Sequence, residues 1–122
     1  DSGANSLLNF PVLLGAESTG DSRSVAVSYS SAPSKNYTLD FYWSSTCNAS
    51  GYGEGEMYLG WDSLTTDAGG AALKQVGLAV DNIQPGYITA TAMDADGSTS
   101  EFSACIPVEG ATFMIMLPLI VR

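Results

Sequence analysis

Histidine is absent from this 122-residue sequence, so any chemistry it performs has to be carried by other groups. The commonest general base and the commonest zinc ligand are therefore missing, and a Ser–His–Asp triad cannot be assembled. Composition leaves a Ser–Lys arrangement through Lys35 or Lys74 open, but nothing in the sequence supports one. Carboxylates are the next candidates. Glu54 and Glu56 flank Gly55 between Tyr52 and Tyr58. Two acids can hydrolyse glycosides when they face each other across a cleft, yet a polar loop explains this pair more simply. Asp94, Asp96 and Glu101, in the run Asp94-x-Asp96-Gly97-Ser98-x-x-Glu101, have a spacing that suits calcium. The run lacks the length and further ligands of an EF-hand loop, and a glycine-containing hairpin turn accounts for the same residues. Asp1 and Asn5 could add to an ion site near the start of the sequence. The expectation is a protein without catalytic residues or cofactor, and without a metal site beyond that calcium candidate.

Aromatic residues offer binding rather than catalysis. Tyr42, Trp43, Tyr58 and Trp61 could stack on sugar rings as a platform. Strand alternation places Trp43 and Trp61 with the apolar sets of their strands, where a sandwich core takes them. Tyr42 and Tyr58 fall on the opposite parity and are the surface aromatic candidates, with polysaccharide as the ligand class. The competing explanation is packing or an interface, where aromatics are also enriched.

The stretch Ala111 to Val121 (ATFMIMLPLIV) raises a different question. Phe113, Ile115, Leu117, Leu119 and Val121 share one side of an extended strand, and Met114, Met116 and Ile120 share the other. A strand apolar on both faces needs cover on both. It is too short to cross a bilayer as a helix, which takes roughly 20 apolar residues. Three fates are open: a last strand of its own sandwich, insertion into a neighbouring copy, or a sorting signal read at the cell envelope. Insertion between copies is head-to-tail strand addition and propagates as a fibre.

The elements that position these residues all have period two. Val25, Val27 and Tyr29 alternate with small polar residues, as do Tyr37, Leu39, Phe41 and Trp43 with Thr38, Asp40 and Tyr42. Further strands are expected around Met57–Trp61, Val76–Val80, Ile88–Ala92 and Phe102–Ile106, with a strand over Leu7–Leu14 whose Pro11 makes it either an edge or irregular. Asp67-Ala68-Gly69-Gly70 and Asp94-Ala95-Asp96-Gly97 read as turns between strands. No segment has a helical period. Seven or eight short strands so punctuated imply an all-β, Greek-key sandwich in one domain. Only four basic residues oppose thirteen acidic ones, a formal charge of −9. Nucleic acid is thereby disfavoured, since binding it needs clustered cations. Cys47 and Cys105 lack metal-ligand spacing. In so Ser/Thr/Gly-rich a chain they read as one disulfide made outside the cytosol, with two unrelated buried thiols as the alternative.

Several of these segments resemble a family of bacterial secreted immunoglobulin-like modules. The similarity rests on Asn5 to Leu13 (NSLLNFPVL), Phe41 to Gly60 (FYWSSTCNASGYGEGEMYLG), Thr65 to Ala71 (TTDAGGA) and Ile88 to Cys105 (ITATAMDADGSTSEFSAC). It covers residues 5 to 106 and implies an immunoglobulin-like Greek-key β-sandwich of about seven strands, with Cys47 bonded to Cys105. Residues 1–108 would be the sandwich and 109–122 an extra apolar strand. No catalytic activity carries over from the family. The resulting expectation is a non-enzymatic subunit of an extracellular filament or surface layer, a homo-polymer joined through the C-terminal strand. The alternatives are a secreted carbohydrate-binding or adhesion module, or an accessory or sorting domain of a larger exoprotein. No transmembrane segment is expected.

Overall fold

The computed structural model describes residues 8–19, 22–47, 55–78 and 83–109, and every regular element within them is a strand. These are β1 (Val12–Thr19), β2 (Ser22–Ser30), β3 (Asn36–Ser44), β4 (Met57–Thr65), β5 (Ala71–Gly77), β6 (Tyr87–Met93) and β7 (Ile106–Glu109). They run in the order β4-β3-β6-β7-β1-β2-β5. All neighbours are antiparallel except β1 and β7, which are parallel. The ribbon folds over itself into two layers, β4-β3-β6 against β1-β2-β5, and β7 bonds to both layers at one side. The fold is all-β, as the period-two pattern implies.

Alternation builds the core. Val25, Val27 and Tyr29 of β2 point inward with Tyr37, Leu39 and Phe41 of β3, Val76 of β5 and Ile88 of β6, all buried. Tyr29 and Tyr37 meet edge to face across the layers, ring centres 5.0 Å apart. The Tyr29 hydroxyl donates to the Asn9 carbonyl at 2.8 Å, and burial pushes its pKa up to about 12. A buried phenol keeps such a partner because an unpaired one costs stability.

β6 is buried on both faces: Ile88, Ala90 and Ala92 face the core, and Thr89 and Thr91 lie buried on the other side. Sequence alternation places a strand over Phe102–Ile106, whereas the ladder of β7 starts only at Ile106. The reason is local. Ser100 and Ser103 replace backbone carbonyls with hydroxyls, which accept from the Ala92 and Ala90 N–H groups at 2.9 and 3.0 Å. Their own N–H groups donate back to the Ala92 and Ala90 carbonyls. Ser103 is fully buried, so Ser103→Ala leaves the Ala90 N–H without an acceptor. The expected loss is about 1–3 kcal/mol in a urea titration, and an unchanged midpoint would contradict this pairing.

The free edges, β4 and β5, approach each other at a seam. Lys74 of β5 reaches across, donating to the Ser63 carbonyl at 2.7 Å and pairing with Asp62 at 3.1 Å. Next to the seam, the Asp67 turn works as its sequence suggests. The Asp67 carboxylate accepts from the N–H groups of Gly69 and Ala71 at 2.9 and 3.0 Å. Gly70 has φ of 86°, and a Cβ there would collide with the Ser31 carbonyl oxygen. The N–H of Ala71, then that of Gly69, hold the Asp67 carboxyl below its ordinary 3.8. A depressed folded pKa contributes stability that is complete above 3.8 and lost as pH falls through the lowered value. Asp67→Ala should therefore flatten the acid limb of melting temperature against pH and leave its neutral-to-alkaline shape unchanged.

Two further strand boundaries differ from the sequence reading, and β1 lies between β7 and β2 rather than at an edge, its irregularity being the bulge between Leu13 and Gly15. β1 begins at Val12, after Pro11 rather than through it, because proline supplies no N–H to a ladder. β5 spans Ala71–Gly77, earlier than the Val76–Val80 run suggests. Leu7, Val80 and the apolar stretch 111–121, with Phe113, Ile115, Leu117, Leu119 and Val121, lie outside the described residues.

Candidate functional site

One irregularity in β4 assembles the site. Asp40 of β3 sits opposite Trp61 and Phe41 opposite Gly60, but Tyr42 sits opposite Tyr58. Leu59 is the extra residue, a bulge followed by Gly60 at φ 138°, a conformation that favours glycine. In a regular strand residues 58 and 61 would point to opposite faces. The bulge turns Leu59 into the core and brings both Tyr58 and Trp61 onto the outer face.

Trp61 is thus not a core residue, contrary to the parity argument. It is 65% exposed, and Tyr58 is 52% exposed. Trp43 does follow its parity: it packs against the core and its indole N–H donates to the Gln84 carbonyl at 3.0 Å. Gly86 is required there, since a Cβ would lie 2.6 Å from that indole nitrogen. The sequence signal for the inversion was Gly60, because an isolated glycine within a strand pattern marks a bulge.

Around Trp61 and Tyr58 the surface is braced. The Tyr58 hydroxyl donates to an Asp40 carboxylate oxygen at 2.8 Å. Desolvation against the sheet, and then that bond, push the phenol up to about 12, so it stays a donor at neutral pH. Tyr42 lies edge to face with Tyr58 on one side and with Phe102 on the other, at 5.4 and 5.3 Å. Gly55 lies against the Tyr42 ring, where a Cβ would come within 2.7 Å. Of the two sequence candidates, Tyr58 therefore presents a surface, while Tyr42 supports it from behind.

The other candidates stand apart. Cys47 and Cys105 are bonded to each other with Cα atoms 6.0 Å apart, and the bond ties the segment after β3 to the one that carries Phe102. Glu56 receives the N–H and hydroxyl of Ser45, so its carboxylate fastens the start of β4. Its sequence partner Glu54 lies outside the described residues, as do Asp1 and Asn5. Asp94 is the acceptor of its own turn, taking the N–H groups of Asp96 and Ser98 at 3.0 and 2.9 Å. Glu101 is exposed nearby, and the described residues contain no group of three acids or cysteines placed to hold a metal ion. No helix among the described residues is long and apolar enough to cross a membrane. No protein-family model and no curated protein matches this chain.

What this face can do follows from its parts. An exposed indole and an exposed phenol on one sheet face are the groups that can stack on the C–H face of a pyranose ring. The Asp40 carboxylate accepts from hydroxyl donors. The sheet and the disulfide hold these groups in place before any ligand arrives, which lowers the ordering cost of binding.

Proposed function

We propose that this chain is a non-enzymatic, extracellular immunoglobulin-like module that binds a neutral polysaccharide on the outer face of β4, β3 and β6. One observation carries this reading: Trp61 and Tyr58 stand exposed on one face of a sheet, with Asp40 opposite Trp61 in the register and hydrogen-bonded to the Tyr58 hydroxyl. Apolar side chains grouped on one exposed face, unlike single scattered ones, mark ligand or partner sites. The formal charge of −9 repels polyanions, which favours a neutral chain of sugars. Support for the immunoglobulin-like class comes from the strand order, with β2 to β3, β4 to β5 and β5 to β6 crossing between layers. A disulfide suits an oxidising location outside the cytosol.

Affinity electrophoresis against soluble glucans, mannans and xylans, with a sulfated or uronic polymer as control, tests this function. Retardation by a neutral polymer and none by the polyanion is expected. Free migration in every gel would overturn it.

A second reading, a structural subunit joined through residues 111–121, is favoured by where the chain leaves the sheet. β7 pairs Glu109 with Glu17, parallel to β1 and near its end, so the apolar segment follows directly from the end of a strand. Assemblies that persist after deletion of residues 111–122, viewed by electron microscopy, would refute that reading.

A further inference from the structure

Aromatic rings lie in edge-to-face contact from the exposed face back to the segment before β7. Tyr58 meets Tyr42 with ring centres 5.4 Å apart and planes at 61°, and Tyr42 meets Phe102 at 5.3 Å and 73°. Tyr58 and Tyr42 face each other in the register of β4 and β3. Phe102 arrives differently: residues 101–103 belong to no regular element, so no sheet ladder fixes its direction. Two tethers do. On either side of it Ser100 and Ser103 are clasped to Ala92 and Ala90 of β6, the strand next to β3. Further on, Cys105 is bonded to Cys47, which follows the end of β3, the strand that carries Tyr42.

The need for such a ring follows from how Tyr58 is held. The β4 ladder fixes its Cβ end, and the Asp40 carboxylate fixes its hydroxyl end at 2.8 Å. Both constraints lie on the long axis of the phenol, and neither restrains rotation about that axis. For a tyrosine this torsion is broad and roughly two-fold, not confined to staggered wells. Stacking on a sugar depends on it, because it decides whether the ring meets a ligand with its face or its edge. A contact from the side limits the rotation, and Tyr42 makes that contact. Tyr42 in turn has the Phe102 ring beside it and Gly55 so close that a Cβ there would come 2.7 Å from its ring.

We infer that Phe102 is a positioning residue for polysaccharide binding, a role that rests on the binding function proposed above. Through Tyr42 it holds the Tyr58 ring at the angle on which a sugar stacks, without touching the sugar itself. The serine clasps and the disulfide then serve the ligand face as well as the fold. Apparent affinity falls in proportion to the fraction of molecules whose ring has the competent angle. A ring that holds this angle about a fifth of the time binds about fivefold more weakly.

Affinity electrophoresis of the full chain, against the glucan, mannan or xylan that retards the parent, tests this in a double-mutant cycle of Phe102→Ala and Tyr58→Ala. Phe102→Ala is expected to weaken binding about fivefold in the parent and not at all in the Tyr58→Ala background. Phe102→Tyr keeps the ring and is expected to bind as the parent does. Phe102→Leu, which keeps bulk without a planar ring, takes the place of Phe102→Ala in the cycle if the alanine variant does not fold. A lower melting temperature with parental affinity of the folded protein is the signature of a purely structural residue and would overturn the inference. An equal loss in both backgrounds would overturn it too, since Phe102 would then act on the sugar without Tyr58. If Tyr58→Ala weakens binding and the Phe102 variants do not, the aromatic face stands and the positioning role falls. If the parent is retarded by no neutral polymer, both fall.

Discussion

Trp61→Ala is expected to weaken binding of a neutral polysaccharide at least thirtyfold, with the melting temperature almost unchanged. The magnitude is that of an interface hot spot, about 2 kcal/mol or more for an exposed tryptophan that carries a contact. Stability should move by less than about 0.5 kcal/mol, since the side chain stands largely in solvent. Trp43→Ala supplies the converse. That indole packs on the core and bonds the Gln84 carbonyl, so its loss should cost about 3 kcal/mol. Affinity electrophoresis and thermal melts on both variants separate the two tryptophans. Equal binding by Trp61→Ala and the parent would remove the aromatic face from the functional site.

Loss of the disulfide has the largest expected effect on stability. The bond spans 58 residues and encloses β4, β5 and β6. In the chain-entropy description, closing a loop of that length restricts the unfolded chain by about 4 kcal/mol. For a domain of this size that corresponds to a fall in melting temperature of about 15 °C. The double variant Cys47→Ser, Cys105→Ser is the cleaner test, since it avoids an unpaired thiol. Its effect on binding should be smaller than that of Trp61→Ala, because the β3–β4 ladder and the Tyr58–Asp40 bond hold Tyr58 without it. A double variant melting within a degree or two of the parent would show that the sheets alone confine the chain.

Much of the architecture was legible in one dimension. The inward positions of β2 and β3 are those with strict apolar alternation, and each is buried except Trp43, which is partly buried against the core. Asp67 and Asp94 head the turns their sequences suggest, and both carboxylates accept the backbone N–H groups that follow. Parity failed where a strand was not regular. Trp61 was assigned inward because alternation was carried unbroken from Met57, yet Leu59 is an extra residue and reverses every position beyond it. Alternation of Phe102, Ala104 and Ile106 reads as a strand, but the Ser100 and Ser103 hydroxyls take the Ala92 and Ala90 N–H groups in place of backbone carbonyls, a change that apolar periodicity does not register.

From sequence alone came the all-β class, a sandwich core of period-two strands, a cysteine pair suited to an oxidising compartment, and a segment apolar on both sides. Those properties are local or compositional: a side-chain period of two and a charge balance need no partner strand to be read. Only the tertiary structure decided which aromatics face outward and that Tyr42 supports Tyr58. Each depends on the register between strands far apart in the chain, and a single inserted residue in one strand changes it.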